Sequence, residues 1–164
     1  MSVLVTGGAG YIGSHAVIDL LAAGEEVVVI DNLSTGFDWA VQDAATLHQG
    51  DIADEALVDR IIREHKVEAV IHFAGSIVVP ESVENPLKYY SNNTAKSRVL
   101  IERCVAGSVR HFIFSSTAAV YGMVGIEPVS EDTALQPMSP YGRSKLMTEW
   151  MLRDVAAAHD MTFA

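Results

Sequence analysis

The sequence predicts an α/β fold with a doubly wound parallel sheet, in which helices cover both faces of the sheet. Strand-like and helix-like segments alternate along the 164 residues, which is the pattern of consecutive βαβ units. Val27–Ile30 and Ala69–Phe73 are nearly continuous apolar runs, as expected of parallel strands that are buried on both faces. Hydrophobic residues make up 49% of the chain and charged residues 20%, so the chain can bury a sizeable core.

The first part of the chain contains the first βαβ unit. Val3–Val5 is a short apolar run that lies just before a group of glycines. Tyr11–Ala23 has apolar residues at near-helical spacing and is followed by Gly24, a residue type that commonly ends helices. Val27–Ile30 is the second strand, and Ala45–Gln49 is a weaker candidate for the third.

The alternation continues through the middle of the chain. Glu55–His65 has the spacing of an amphipathic helix, and Asp54 is a suitable N-cap because its carboxylate can accept from the first turn. Ala69–Phe73 is the fourth strand. Pro86–Ala106 is predicted as one long helix, since nothing stronger than Asn interrupts it.

The last part of the chain contains a strand, a helix and the start of a further strand. Phe112–Ser115 is the fifth strand. Ser139–His159 is a helix with Ser139 as its N-cap and Pro140 in the first turn, where proline is tolerated. Met161–Ala164 begins another strand, and the sequence stops there. We therefore expect the sequence to be the N-terminal portion of a longer protein.

Composition argues against several classes of partner and site. The formal net charge is −10 and no run of Lys and Arg is present, which argues against nucleic acid. Cys104 is the single cysteine, so an intrachain disulfide and a multi-thiolate zinc site are excluded, and a reducing, cytoplasmic location is expected. No histidine pair has metal-ligand spacing, so no metal site is predicted. Neither a signal peptide nor an apolar stretch of about 20 residues is present, so no membrane association is expected.

The first turn after the first strand has the spacing of a dinucleotide fingerprint. Gly8, Gly10 and Gly13 fit G-x-G-x-x-G, and Gly7 offers a second way to match it. Glycines let the backbone approach a pyrophosphate closely, and the helix that follows presents N–H groups and a partial positive charge to it. Asp31 ends the second strand about 20 residues later, the usual place of the carboxylate that holds the adenosine ribose. The turn therefore predicts a Rossmann-type dinucleotide domain, with a glycine turn needed only for packing as the alternative.

The residues after the second strand favour NAD over NADP. A carboxylate at Asp31 suits a free 2′-hydroxyl and repels a 2′-phosphate. Asn32 is neutral, and no Arg lies between Gly13 and Asp31 or in the 33–39 loop. Asp51, which precedes Ile52 after the third strand, either accepts the adenine amino group or is a turn residue, and the sequence leaves both readings open.

Tyr141 and Lys145 form a second constellation, because residues four apart share one face of a helix. A phenol has an ordinary pKa of about 10, so it needs nearby cations to act as a base at neutral pH. Taken alone, the pair is more commonly a helix surface pair. Ser115, Ser116 and Thr117 end the fifth strand and each offers a hydroxyl that a substrate or the phenol could use. Local backbone capping is the alternative role for these hydroxyls.

The chain resembles the extended short-chain dehydrogenases/reductases over essentially its whole length. The glycine turn and Tyr-x-x-x-Lys are shared across that superfamily. DNLSTG at Asp31–Gly36 and ESVENPLKYYSNNT at Glu81–Thr94 are found in fewer of its members, and they resemble the branch that interconverts UDP-glucose and UDP-galactose. The segments that carry the resemblance are VTGGAGYIGSH at Val5–His15, DNLSTG at Asp31–Gly36, GDI at Gly50–Ile52, HFAG at His72–Gly75, ESVENPLKYYSNNT at Glu81–Thr94, FSSTAAVYG at Phe114–Gly122 and SPYGRSK at Ser139–Lys145.

The resemblance implies a set of cofactor and catalytic residues. Thr117, Tyr141 and Lys145 would form the catalytic set, and Lys145 would also bond the nicotinamide ribose. Ile77 stands where several family members have Lys, so that contact is not carried over. The residues implied in binding NAD are Gly7, Gly10, Tyr11, Ile12, Gly13, Asp31, Asn32, Leu33, Ser34, Thr35, Gly36, Asp51, Ile52, Phe73, Ala74, Gly75, Asn92, Tyr141 and Lys145.

The implied reaction is reversible hydride exchange at C4 of a UDP-hexose. The Tyr141 phenolate would take the 4-hydroxyl proton, directly or through Thr117, and NAD would be regenerated in each cycle. The resemblance also implies a smaller C-terminal substrate-binding lobe, which is absent from the sequence, so residues 1–164 would form the NAD-binding domain alone. It further implies a homodimer built from the helices 86–106 and 139–159. The apolar residues of those helices could be interface or ordinary core; they are Val99, Leu100, Leu146 and Leu152.

Other functions remain as alternatives. A nucleotide-sugar 4,6-dehydratase of the same superfamily would need an acidic residue directly after the Ser/Thr, where this chain has Ala118 and Ala119. A nucleotide-sugar decarboxylase is a related possibility. A non-catalytic NAD-binding module would have no need of Tyr141 and Lys145.

Overall fold

The computed structural model describes residues 1–125 and 128–164. A six-stranded sheet lies at its centre, with the strand order β3-β2-β1-β4-β5-β6 and every neighbouring pair parallel. The predicted α/β fold with a doubly wound parallel sheet is confirmed. The strands are β1 (Ser2–Thr6), β2 (Glu26–Asp31), β3 (Thr46–Gln49), β4 (Ala69–His72), β5 (His111–Phe114) and β6 (Thr162–Phe163).

The strand order reverses between β1 and β4. From β1 the chain runs outward to β2 and β3 on one side, and then returns to place β4, β5 and β6 on the other side. Ligands of open parallel sheets bind at such a reversal, outside the carboxyl ends of the strands. The topology therefore places the candidate crevice next to the ends of β1 and β4.

The described residues form six α-helices. The predicted N-caps are confirmed, since the Asp54 carboxylate accepts from the Leu57 N–H at 3.0 Å and the Ser139 hydroxyl accepts from the Gly142 N–H at 3.1 Å. Short 3₁₀ turns lie at Asp38–Ala40 and Ala118–Tyr121. The helices are α1 (Tyr11–Ala22), α2 (Glu55–Glu64), α3 (Val79–Glu84), α4 (Pro86–Tyr89), α5 (Lys96–Ala106) and α6 (Pro140–Ala158). Of these, α1, α2, α5 and α6 pack on the sheet, while α3 and α4 pack against α6.

Each central strand contributes to two separate cores because its side chains alternate between the faces of the sheet. Leu4 belongs to one core, which also contains buried residues of α2, α5 and α6. Val3 and Val5 belong to the other core, together with Val17 of α1. Both faces are thus covered, which explains the continuous apolar character of the inner strands.

The predicted single helix Pro86–Ala106 is wrong in one respect. The segment is helical throughout, but Tyr90–Ala95 forms a π-helical turn between α4 and α5. The hydroxyls of Ser97 and Thr148 donate to the Asn93 carbonyl at 2.6 and 3.2 Å. Side-chain hydroxyls thus bond a carbonyl of the π turn. π-helical turns of this kind are common at functional sites.

One further element differs from the sequence-based expectations, and one alternative that the sequence left open is settled. α3 was not predicted, because its 6 residues are too few to show a repeated helical spacing of apolar residues. Leu100, Leu146 and Leu152 are buried within the chain, so these three residues are core rather than interface.

Candidate functional site

The glycine turn between β1 and α1 is packed too tightly for side chains. Gly7 has φ +73°, and a Cβ there would lie 2.7 Å from the Ala74 nitrogen. A Cβ on Gly13 would lie 2.2 Å from the Gly7 carbonyl oxygen. The first N–H groups of α1 have no intrahelical acceptor, and such groups at a helix N-terminus are suited to binding an anion.

Asp31 joins the glycine turn to the loop after β2. Its two carboxylate oxygens accept from the Ala9 N–H at 3.0 Å and from the Leu33 N–H at 2.8 Å. A carboxylate offers about four acceptor positions, so capacity remains for ribose hydroxyls. A Cβ on Gly36 would lie 2.8 Å from the Ala9 backbone, which shows how closely the 32–36 loop lies against the turn.

Asp51 serves its turn and also an ion pair. Its carboxylate accepts from the Ala53 N–H at 2.9 Å and from the Lys96 ammonium at 2.5 Å. Burial acts to raise the pKa of Asp51, but the Lys96 ammonium and the Ala53 N–H outweigh it and hold that pKa below its ordinary value. The turn reading of Asp51 therefore accounts for these contacts, while its role toward adenine stays a prediction. Ile52 beside it is buried.

The end of β4 meets the π turn and α6. The Asn93 amide accepts from the Ser76 N–H at 2.7 Å and donates to the Ser144 hydroxyl at 3.1 Å. A Cβ on Gly75 would lie 3.1 Å from the Asn93 side-chain oxygen and 3.6 Å from the Lys145 Nζ. Asn92, the neighbour of Asn93, donates to the Ser76 hydroxyl at 3.0 Å. The glycine thus lets the strand end approach the catalytic candidates.

Lys145 is a buried cation in a largely apolar setting. Its side chain points at the sheet, where Nζ donates to the Ser115 carbonyl at 3.0 Å and lies 4.8 Å from the Phe114 ring centroid. Only 3% of the residue is exposed. Burial lowers the pKa of Lys145 from 10.5 to about 8. Keeping an ammonium here therefore lowers the stability of the fold, and a buried ionisable group of this kind is typical of a functional site.

Two phenols lie in contact where α4 packs against α6. The rings of Tyr141 and Tyr89 meet edge to face, with 6.4 Å between centroids. The Tyr89 hydroxyl lies 2.7 Å from the Val78 carbonyl oxygen and 2.8 Å from a Glu81 carboxylate oxygen, so its single proton is shared between these two acceptors. Burial and the Glu81 carboxylate raise the pKa of Tyr89 to about 12. Tyr89 therefore keeps its proton. Tyr141 lies on the same helical face as Lys145, and its role as the base stays a prediction.

Thr117 is the N-cap of the 3₁₀ turn after β5. Its hydroxyl oxygen accepts from the Ala119 N–H at 3.1 Å, which leaves its own proton available for donation. A Cβ on Gly142 would lie 2.8 Å from the Ala119 carbonyl oxygen, so a glycine next to Tyr141 lets α6 pack directly on this turn. Ser116, between Ser115 and Thr117, donates to the Glu149 carboxylate of α6.

Several residues of this site were not identified from the sequence. Lys96, Asn93, Ser144 and Gly142 all act through contacts between distant parts of the chain. The signal that could have drawn attention to Asn93 is the repeated Asn of the 81–94 segment.

Within 1–125 and 128–164, no three or more His, Cys, Asp or Glu side chains are grouped so that they could hold a metal ion. No helix in that part of the chain is both long enough and apolar enough to cross a bilayer.

Known proteins resemble the chain over nearly its whole length. A UDP-glucose 4-epimerase of Azospirillum brasilense is 55% identical over 159 residues, which are 97% of this chain and 46% of that protein. The structure of UDP-glucose 4-epimerase from Brucella ovis in complex with NAD matches with a TM-score of 0.96 and 44% identity, covering 99% of this chain and 50% of that one. The structure of UDP-glucose 4-epimerase with UDP-glucose from Thermotoga maritima matches with a TM-score of 0.95 and 39% identity, covering 99% of this chain and 53% of that one.

These matches confirm the resemblance that the motifs predicted. The chain spans about half the length of the relatives it matches. The model of the NAD dependent epimerase/dehydratase family matches residues 3–164, so the chain belongs to the NAD dependent epimerase/dehydratase family.

Proposed function

We propose that the chain is the NAD-binding half of an enzyme that interconverts UDP-glucose and UDP-galactose at sugar C4. The observation that carries this proposal is the buried Lys145, one helical turn from Tyr141 and facing Gly75 at the end of β4. A phenol and an ammonium at the reversal of a doubly wound sheet can remove a hydroxyl proton where a dinucleotide binds. Relatives that carry the name UDP-glucose 4-epimerase support the choice of substrate.

The residues of the glycine turn fit NAD. Gly7 and Gly13 let the turn pack closely against the end of β4 and the start of α1, and the backbone N–H groups of Tyr11 and Ile12 would hold the pyrophosphate. Asp31 retains acceptor positions for the ribose hydroxyls and would repel a 2′-phosphate. Bound NAD would take up and return the hydride at C4, while the chain's own residues manage the proton. The Brucella ovis relative, solved in complex with NAD, supports this assignment.

The proton is handled by three side chains. Tyr141, as a phenolate stabilised by the Lys145 ammonium, would accept the 4-hydroxyl proton and later return it. Thr117 would donate its hydroxyl proton to the substrate oxygen and so orient it, because its own oxygen is held by the Ala119 N–H. The buried setting strengthens the attraction between phenolate and ammonium.

The dehydratase and decarboxylase alternatives have less support. Ala118 and Ala119, which begin the 3₁₀ turn after Thr117, carry no proton donor for elimination of water. A purely NAD-binding module gives no reason for the burial of Lys145, since burying an ammonium lowers stability.

A homodimer stays a prediction. Leu87 of α4, Met147 of α6 and Trp150 of α6 are exposed apolar residues on the helical segments expected to form the interface. Their exposure supports a second copy of the chain as the partner.

The full-length protein with UDP-galactose and no added NAD tests the proposed function. We expect UDP-glucose to form, because NAD bound during expression would be regenerated in every cycle. Formation of a 4-keto-6-deoxy sugar would instead favour the dehydratase, and loss of carbon dioxide from a UDP-uronic acid would favour the decarboxylase. NAD that co-purifies with protein that converts none of these sugars would favour the binding module.

A further inference from the structure

His72 is a buried titratable residue that the proposed chemistry does not use. It ends β4 and is fully buried between the sheet and α5. Both ring nitrogens have hydroxyl partners: Nδ1 lies 2.6 Å from the Thr6 Oγ1, and Nε2 lies 2.8 Å from the Ser97 Oγ. Thr6 directly precedes the glycine turn, so the imidazole bridges that turn and α5.

The hydrogen bonds around His72 fix its tautomer. The Ser97 hydroxyl donates its single proton to the Asn93 carbonyl at 2.6 Å, so it must accept from an N–H at Nε2. Nδ1 is then the acceptor for the Thr6 hydroxyl, whose oxygen accepts from the Ala74 N–H at 3.3 Å. The hydrogen bonds therefore run in one direction, from the backbone beside the glycine turn to the Asn93 carbonyl.

A neutral ring is required for this arrangement, and the surroundings provide it. Burial, together with the nearby Lys145 ammonium, lowers the pKa of His72 from 6.5 to about 3. The groups packed around the ring are the hydroxyls of Thr6 and Ser97 and the aromatic rings of Phe112 and Phe114.

The chain of hydrogen bonds ends on the residue that links three parts of the site. The Asn93 carbonyl belongs to the π turn, and its side chain bonds both the backbone of Ser76 and the hydroxyl of Ser144. Ser144 is the neighbour of Lys145. A shift of the π turn would therefore move the loop after β4 and the ammonium-bearing turn of α6 together.

We propose that His72, as its Nε2–H tautomer, is a positioning residue. It holds the Ser97 hydroxyl on the Asn93 carbonyl and thereby keeps the Lys145 side chain in its position at the candidate crevice. This inference rests on the proposed function for its kinetic consequence, but not for its tautomer. The two parts can therefore fail separately.

The tautomer is tested by ¹H–¹⁵N NMR of the histidine side chains in the protein. We expect His72 to carry its proton on Nε2 and to show no titration between about pH 5 and 8. A proton on Nδ1, or titration with the ordinary pKa of histidine, would overturn the inference even if the enzyme interconverts the two UDP-sugars. If the protein shows the expected tautomer but has no epimerase activity, the proposed function is wrong and the tautomer of His72 still stands.

The positioning role is tested by paired variants of the full-length protein. Gln at position 72 can present a donor near the Nε2 site, whereas Asn reaches only the Nδ1 side. We expect His72→Asn to lower kcat about tenfold, equivalent to about 1.4 kcal/mol, with little change in KM, and His72→Gln to recover most of the loss. Equal losses in the two variants, or a better recovery with Asn, would contradict the role at Nε2.

Two further variants complete the experiment. Ser97→Ala removes only the hydroxyl that accepts from His72, and it should reproduce the loss of kcat. This variant keeps the proposal testable if His72→Asn fails to fold. A kcat equal to that of the unchanged protein would overturn the proposal. His111→Gln is the matched control, since His111 on β5 also bonds a threonine hydroxyl through Nδ1, at 2.9 Å, but lies at the opposite end of the sheet. Its kcat should be unchanged, and a tenfold loss there would show that the effect is not specific to His72.

Discussion

Replacing Tyr141 with Phe should lower turnover of UDP-galactose by about 10²–10⁴-fold, the usual contribution of a general acid–base, while NAD stays bound. The substitution removes one oxygen and leaves the ring against Tyr89. Tyr89 cannot replace it as the base, because the Glu81 carboxylate accepts its proton and its pKa is raised to about 12 by burial and that carboxylate. Steady-state kinetics and the content of bound NAD give the two readouts.

Tyr90→Phe is the matched control for this variant. Tyr90 is a half-buried tyrosine of the π turn, so the control removes the same atom from a phenol that has no assigned role. Turnover by Tyr141→Phe at the rate of the Tyr90→Phe protein would show that the base was misassigned. Loss of NAD together with activity would show instead that the phenol serves cofactor binding.

Lys145→Met should abolish turnover and, unusually for a buried substitution, increase the free energy of unfolding at neutral pH. Burial lowers the pKa of Lys145 from 10.5 to about 8. This difference corresponds to a cost of roughly 3 kcal/mol for keeping the charge in the folded chain. The Ser115 carbonyl would lose its donor, at a cost of about 1 kcal/mol, so the net gain should be about 2 kcal/mol.

The sign of the pH dependence gives a sharper readout. Below about pH 8 the lysine is charged in both states and the cost is fully present. Between about pH 8 and 10.5 the unfolded chain binds more protons than the folded chain at this residue, so the cost falls as pH rises. The stabilisation by Lys145→Met, measured by urea unfolding, should therefore shrink between neutral pH and about pH 10.

Lys96→Met separates this effect from the simple loss of a lysine. Lys96 pairs with the Asp51 carboxylate, so its replacement should lower the free energy of unfolding. The contrary result is that Lys145→Met destabilises the protein to the same extent as Lys96→Met, with no change between the two pH values. That result would contradict the claim that the buried Lys145 ammonium lowers the free energy of unfolding.

The fold was predictable from the sequence because its signals are local. The apolar runs at Val27–Ile30 and Ala69–Phe73, the glycine turn and the N-caps Asp54 and Ser139 each depend on a few neighbouring residues. The order of the strands then follows from general rules for parallel sheets. The same locality explains why Asp31 could be assigned to the end of β2.

The supporting contacts of the site could not be predicted in this way. The π turn at Tyr90–Ala95 depends on hydroxyls of Ser97 and Thr148, and the second of these is 55 residues away from Asn93. The burial of Lys145 depends on how α6 packs against β5, which no local pattern specifies. Helical propensity alone describes Pro86–Ala106 as one regular helix, and tertiary contacts decide otherwise.

A structure of the protein bound to NAD would show where the dinucleotide lies relative to Tyr141 and Lys145. We expect the pyrophosphate on the N–H groups of Tyr11 and Ile12, and a hydroxyl of the nicotinamide ribose at about 3 Å from the Lys145 Nζ. The nicotinamide ring should lie next to the Tyr141 hydroxyl. A dinucleotide that binds away from Gly7–Gly13, or one whose nicotinamide end points away from Tyr141 and Lys145, would contradict the account.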